Sequence, residues 1–364
     1  MYKIIYRSLS ENGISCMASS ASFKQCKIRK EVVFSPYEST RFIGHKTTGE
    51  NHHSKIYALR KTWFSKYMDY IRDLQKRLEK SFPKTMHVYR VFSIGTKDFY
   101  NDLKQYFAVK KKKSIVGIDK LSTQELQLLY QMPKDIMKLT PFLLTAALPF
   151  ANYVVFPIGY YFPRIFLTSQ YWDLQQRLDF ALIDHKNRLK HNKPLLRCVQ
   201  ASLSKIEDQC LKNKWNEVIA TLGGGRHPAP EEIVDCKELF QGPPYSLKAL
   251  GRRHVKELLA IHKMAKWLPY KRQRLLERGL LIKRMDNAIE MGGGVNKIPT
   301  DTLRWALFFR GLNAVNMSTE DMRQWLNKWL TVSSKVEKQN ISLLLHCPIL
   351  LAYNHETNWT LLYY

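Results

Sequence analysis

Apolar positions recur every three or four residues along most of this chain, and nowhere do they alternate as a half-buried strand requires. Trp63, Phe64, Tyr67, Met68, Ile71, Leu74 and Leu78, set among charges, predict an amphipathic helix ending near Ser81 and Pro83. Leu126, Leu128, Leu129, Tyr130 and Ile136 predict another after Leu121. Downstream, helical spacing covers residues 174–189, 195–211, 230–240, 246–267, 269–278 and 283–291, with Gly or Pro in most of the gaps. Pro299, Thr300 and Asp301 start a helix that ends at Arg310 and Gly311. Ser318, with Asp321 three residues on, caps the next, which carries Met322, Trp325, Trp329 and Leu330. The expected fold is all-α: a bundle of short helices.

One stretch breaks the amphipathic pattern. Residues 139–163 run for 25 positions without a charged side chain. As one helix they would reach about 37 Å, enough to cross a hydrocarbon core of about 30 Å. The reading is a single transmembrane helix, kinked by its prolines, with Pro141, Phe142, Pro149, Phe150, Asn152 and Pro157 as its marked residues. The carbonyls freed by Pro149 and Pro157 need partners in lipid, so a second helix or another copy of the chain is an expected neighbour, and Asn152 is a candidate hydrogen-bonding group. The alternative is a hairpin of two short helices buried by protein, which a hydropathy window cannot distinguish. The span divides the chain into residues 1–46, 47–138, 139–163, a helical domain over 164–350, and a tail over 351–364.

Charge adds a partner class. Lys and Arg number 58 against 31 acids, a net +27. Both flanks of the apolar stretch share it, with +15 over residues 1–138 and +12 over 164–364. Such a balance points to phosphate backbones, anionic lipid or import into an electronegative compartment. Residues 1–46 hold eight Lys or Arg, three acids and many serines, as a mitochondrial presequence or a basic tail does. Six widely spaced cysteines with no C-x-x-C pair form neither a zinc signature nor a disulfide framework. No nucleophile with a base, no H-E-x-x-H and no phosphate loop is present, so no catalytic residue, metal or cofactor is expected. The triple glycines 223–225 and 292–294 lack the Lys-Ser or Lys-Thr of a P-loop and read as helix stops.

The cations of the last third suggest RNA. Lys271, Arg272, Arg274, Arg278, Lys283 and Arg284 cluster along two helical segments, and Arg304, Arg310, Arg323 and Lys328 follow. A helical face of this kind neutralises phosphates without reading sequence, and its binding weakens steeply with salt. An ordinary solvated face is the competing reading for any one of them.

Several residues carry a resemblance. Asp135-Ile136, Lys138-Leu139, Pro141-Phe142 and Pro149-Phe150 resemble the membrane segment of the leucine-zipper, EF-hand-containing transmembrane family, the LETM family. Asp286, Gly294-Val295, Leu303, Ala306, Arg310-Gly311 and Trp329-Leu330 fall at intervals similar to those of its ribosome-binding domain, and Ser342-Leu343-Leu344-Leu345 resembles its final helix. The resemblance implies a single-pass protein of the mitochondrial inner membrane, in contact with its lipid, with the helical domain in the matrix. It also implies docking to mitochondrial ribosomes through rRNA phosphate and ribosomal protein, in support of mitochondrial organisation, translation and oxidative phosphorylation. Larger members are linked to cation/proton exchange, which gives the alternative of a K+ or Ca2+/proton antiporter or a subunit of one. The chain departs from those members in lacking a D-x-D-x-D-G loop and in carrying Asn152 where exchanger-type members tend to carry an acid. An amide cannot gain and lose a proton as a carboxylate can.

Overall fold

A computed structural model describes residues 83–146, 148 and 151–363. The presequence-like segment, the amphipathic helix expected over residues 61–81, Pro149 and Phe150 lie outside the described residues. Among the described residues there are fourteen α-helices, joined by short loops and 3-10 turns, and no strand. They are α1 (Pro83–Val116), α2 (Thr123–Ala146), α3 (Asn152–Tyr161), α4 (Pro163–Phe166), α5 (Leu174–Leu189), α6 (Asn192–Gln200) and α7 (Gln209–Gly223). There follow α8 (Pro230–Asp235), α9 (Arg252–Ile261), α10 (Lys271–Met291), α11 (Thr300–Arg310), α12 (Thr319–Ser334), α13 (Ile341–Ala352) and α14 (Glu356–Tyr363).

The core is built around α13, in which every residue from Ile341 to Ala352 is buried. Its sequence, ISLLLHCPILLA, has no polar face, and a helix apolar all round is stable only when covered all round. The cover comes from α6, α9, α10 and α12 and from the 3-10 turn Lys237–Phe240. Helix α10 offers Leu275, Gly279, Ile282, Met285 and Ile289 at three- and four-residue spacing. A Cβ on Gly279 would stand 2.8 Å from Ile341 Cγ1, so the missing side chain sets how closely α10 and α13 approach. The core also reaches back to Leu121 and Leu126 at the start of α2, and it takes in the last helix through the buried Asn358.

The apolar stretch does not form a single span. Helix α2 runs through Pro133 and Pro141, stops at Ala146, and the chain resumes as the ten-residue α3. Among the described residues no helix is long and apolar enough to cross a membrane. The two pieces fold back on each other and on α1. The Phe92 and Phe142 rings stack at 6.2 Å, and Phe156 meets Phe92 edge-on at 5.1 Å. Gly159 lets α3 close on Phe142, whose ring carbon would lie 2.7 Å from an added Cβ. The ends of the stretch decide the topology. Lys138 Nζ, just before it, donates to the carbonyls of Arg164 at 2.8 Å and Leu167 at 2.5 Å, just after it. A span would hold these flanks roughly 37 Å apart; here they touch, so the stretch leaves the domain and returns. Pro141 lies within α2, Phe142 is buried in the hairpin, Pro157 sits inside α3, and Asn152 opens α3. The outer face stays apolar and exposed at Leu144, Val154, Tyr161 and Ile165.

Candidate functional site

The sequence-expected basic cluster divides into cations used by the fold and cations left at the surface. Arg310, the last residue of α11, is buried against Asp286 of α10. Its Nε donates to Asp286 Oδ1 at 3.1 Å and its Nη2 makes a second bond to the same oxygen. The other carboxylate oxygen accepts from Trp329 Nε1 at 3.0 Å and from Ser333 Oγ at 2.5 Å. One carboxylate thereby ties α10, α11 and α12 together, and both charges of the pair are satisfied as a buried ion pair requires.

More of the expected residues are engaged internally. Arg278 is buried, with its guanidinium 3.7 Å from the centre of the Phe309 ring. Arg272 donates to the carbonyls of Leu247 and Leu250, Arg274 to that of Ala265, and Lys283 to those of Ser333 and Ser334. Arg272, Arg274 and Lys283 thus close neighbouring segments onto α10. Arg284 pairs with Asp119 at 3.5 Å, and Arg323 with Glu320 at 3.9 Å on one helix face, weak contacts that leave both side chains partly exposed. Arg304 and Lys328 are exposed and Lys271 is half-buried.

Sequence reasoning missed where several cations meet at one edge. The start of α9 and the start of α10 border a shallow pocket of about 550 Å³, lined by Arg252, Lys256, Lys271, Arg272 and Tyr270. Neither helix carries an acid in its first turn, and neither has a side-chain cap, so both positive helix ends are uncompensated. Tyr270 is 76% exposed and Trp267, three residues earlier, is 82% exposed. Tyr270 holds a left-handed backbone, φ 53°, which turns the chain sharply into α10. Cations, two helix ends and the bare Tyr270 ring at one edge, with Trp267 exposed in the adjoining loop, can neutralise phosphates and stack bases. The signal in sequence is the pair of basic doublets, Arg252-Arg253 and Lys271-Arg272, on either side of a loop with Trp267 and Tyr270. Trp305, by contrast, stacks on Phe309 at 4.8 Å. Among the described residues no group of His, Cys, Asp and Glu is placed to hold a metal ion.

An all-helical domain closed by an Asp286–Arg310 pair, with a cationic and aromatic edge, defines the class. Residues 121–350 match the family described as "LETM1-like, RBD". The chain belongs to the LETM1-like family. It is 31% identical over 282 residues to LETM1 domain-containing protein 1 of Xenopus tropicalis, covering 76% of this chain and 80% of that relative. It is 28% identical over 282 residues to the protein of that name in Homo sapiens, covering 76% and 78% respectively. No solved structure matches the chain.

Proposed function

We propose that this chain docks mitochondrial ribosomes through its helical domain at the inner membrane, and so supports synthesis of respiratory-chain subunits. The observation that carries the reading is the pocket at Arg252, Lys256, Lys271 and Tyr270, in a domain whose family description includes RBD. Phosphate contacts there supply affinity without sequence readout, and Trp267 and Tyr270 offer flat faces for unpaired bases. The contact with the membrane is assigned to the exposed face of the α2–α3 hairpin, with both of its ends on the domain side.

The test is co-sedimentation of the full-length chain with purified mitochondrial ribosomes across a salt series. Pelleting at moderate salt supports docking, with affinity falling by a log–log slope of about 0.7–0.9 per phosphate contacted. Charge reversal at Arg252, Lys256 and Lys271 abolishes pelleting; Arg272 is left intact because it holds the Leu247 and Leu250 carbonyls. A chain that stays in the supernatant at low salt overturns the reading.

A further inference from the structure

Between the base of the apolar hairpin and the main domain lies a cavity of about 580 Å³. Its walls carry six Lys or Arg side chains and only two carboxylates, Asp135 and Asp184. Asp184 is already committed, to Arg164 at 2.7 Å and to Lys263 at 2.7 Å. Two guanidiniums face the cavity from deep burial: Arg188 is 4% exposed and Arg278 is 6% exposed. Neither has a carboxylate partner in an ion pair among the described residues. Arg188 donates to the carbonyls of Phe308 and Phe309, while Arg278 lies over Phe309 and Tyr130.

Three polar groups on the walls are buried with bonds unmade. Arg188 Nε, Arg278 Nε and Nη1, and Thr168 Oγ1 have no hydrogen-bond partner among the described residues. A buried cation with idle N–H groups is unfavourable unless an anion answers it. Burial, and then Arg278 beside it, pulls Arg188 down to about 9, and burial lowers Lys134 and Lys138 as well. The remaining wall is aromatic: Lys134 Nζ sits 3.4 Å over the Tyr130 ring and Lys138 Nζ 4.8 Å from the centre of the Trp172 ring. At the hairpin side, Met137 and Ile165 are apolar and exposed.

We propose that this cavity binds a phosphate-bearing molecule, with the phosphate between Arg188, Arg278, Lys134 and Lys263 and an apolar body directed towards the exposed face of the hairpin. The shape of the charge favours phosphate over a lone carboxylate: guanidiniums and ammoniums converge from three helices and a loop, with more donors than two oxygens can accept. The site is separate from the ribosome-facing pocket and stands without it. Either a lipid head group or a free phosphate ester carries the required chemistry.

Calorimetric titration of the full-length chain with dihexanoyl phosphatidate, glycerol 3-phosphate and dihexanoyl phosphatidylcholine tests the site. Saturable binding of phosphatidate but not of the other two supports it and makes the source a lipid. Equal binding of glycerol 3-phosphate supports it and makes the source a soluble ester. The double variant Lys134→Gln/Lys263→Gln removes two partly exposed cations and spares both buried guanidiniums. It weakens the anionic probe by about tenfold per lost charge contact, while its far-UV circular dichroism and unliganded melting stay like the parent's. Absence of binding by both anionic probes, equal binding of phosphatidylcholine, or affinity unchanged in a folded variant overturns the proposal.

Discussion

His254 donates a hydrogen bond to His346 across the core, Nε2 to Nε2 at 2.7 Å. The direction follows from the next contact: His346 Nδ1 lies 2.7 Å from the carbonyl of Ser342 and must carry the proton, which leaves its Nε2 as an acceptor. Burial favours the neutral form of both rings, and a proton added to His346 Nε2 would set two N–H groups against each other.

Acid should unfold the domain early. Burial pulls His254 down to about 3, His346 to about 4 and His185 to about 3, and it lowers His262 far below its ordinary value. In the unfolded chain these rings titrate near 6.5. The unfolded state then holds more protons below that pH, so stability is complete above about 6.5 and is lost as pH falls towards 3–4, by up to about 1.4 kcal/mol per unit for each ring. Urea midpoints measured from pH 7.5 to 4.5 should fall steeply below 6.5, and a His254→Phe/His346→Leu double variant should flatten the slope.

Removing the acid that ties three helices should be severe. Asp286→Ala strands Arg310 as a buried, unpaired cation and leaves Trp329 and Ser333 without their acceptor. The expected destabilisation is about 3–5 kcal/mol by chemical denaturation. Pairing it with Arg310→Met should recover part of that loss, since the buried charge goes with it.

Asn358 should matter far more than its place in the last helix suggests. Its amide donates to the carbonyls of Ala352 at 2.7 Å and Gly311 at 3.0 Å and accepts from the Asn313 backbone at 2.9 Å. Asn358→Leu, similar in size, should destabilise by about 2–3 kcal/mol by leaving these groups unanswered. Proteolysis after the substitution should cut first between α13 and α14.

At Gly279 the expected fault is excess volume. Gly279→Ala overlaps Ile341 and should destabilise by about 1–3 kcal/mol, despite alanine's better helix propensity. Ile341→Ala, which removes the Cγ1 that a Cβ at 279 would meet, should relieve the Gly279→Ala variant in a double-mutant cycle.

Local signals carried much of the fold. Helix α5 occupies the residues its periodicity predicts, 174–189; the Ser318 cap bonds Asp321 N at 3.1 Å; and both triple glycines end helices. Long-range partners explain the failures. A break was expected between residues 278 and 283, yet α10 runs unbroken because Gly279 is needed against Ile341. The span became a hairpin through the Lys138 contacts, 26 and 29 residues away, which hydropathy does not register. The buried roles of Arg278 and Arg310 were within reach. Arg278 lies three residues after Leu275 and four before Ile282, and Arg310 follows Leu303 and Leu307 by seven and three, so both stand on apolar stripes. The cationic edge joins residues 252–256 with 267–272, and no spacing rule connects two helix starts that only tertiary packing brings together.

The buried helix α13 also sets a timetable. The helices that cover it, α6, α9, α10 and α12, lie upstream in sequence, so on a translating ribosome they emerge with their apolar faces uncovered. The core cannot assemble domain-half by domain-half; it waits for Ile341–Ala352 to clear the exit tunnel. A chain truncated before Ile341 lacks the helix on which the core closes.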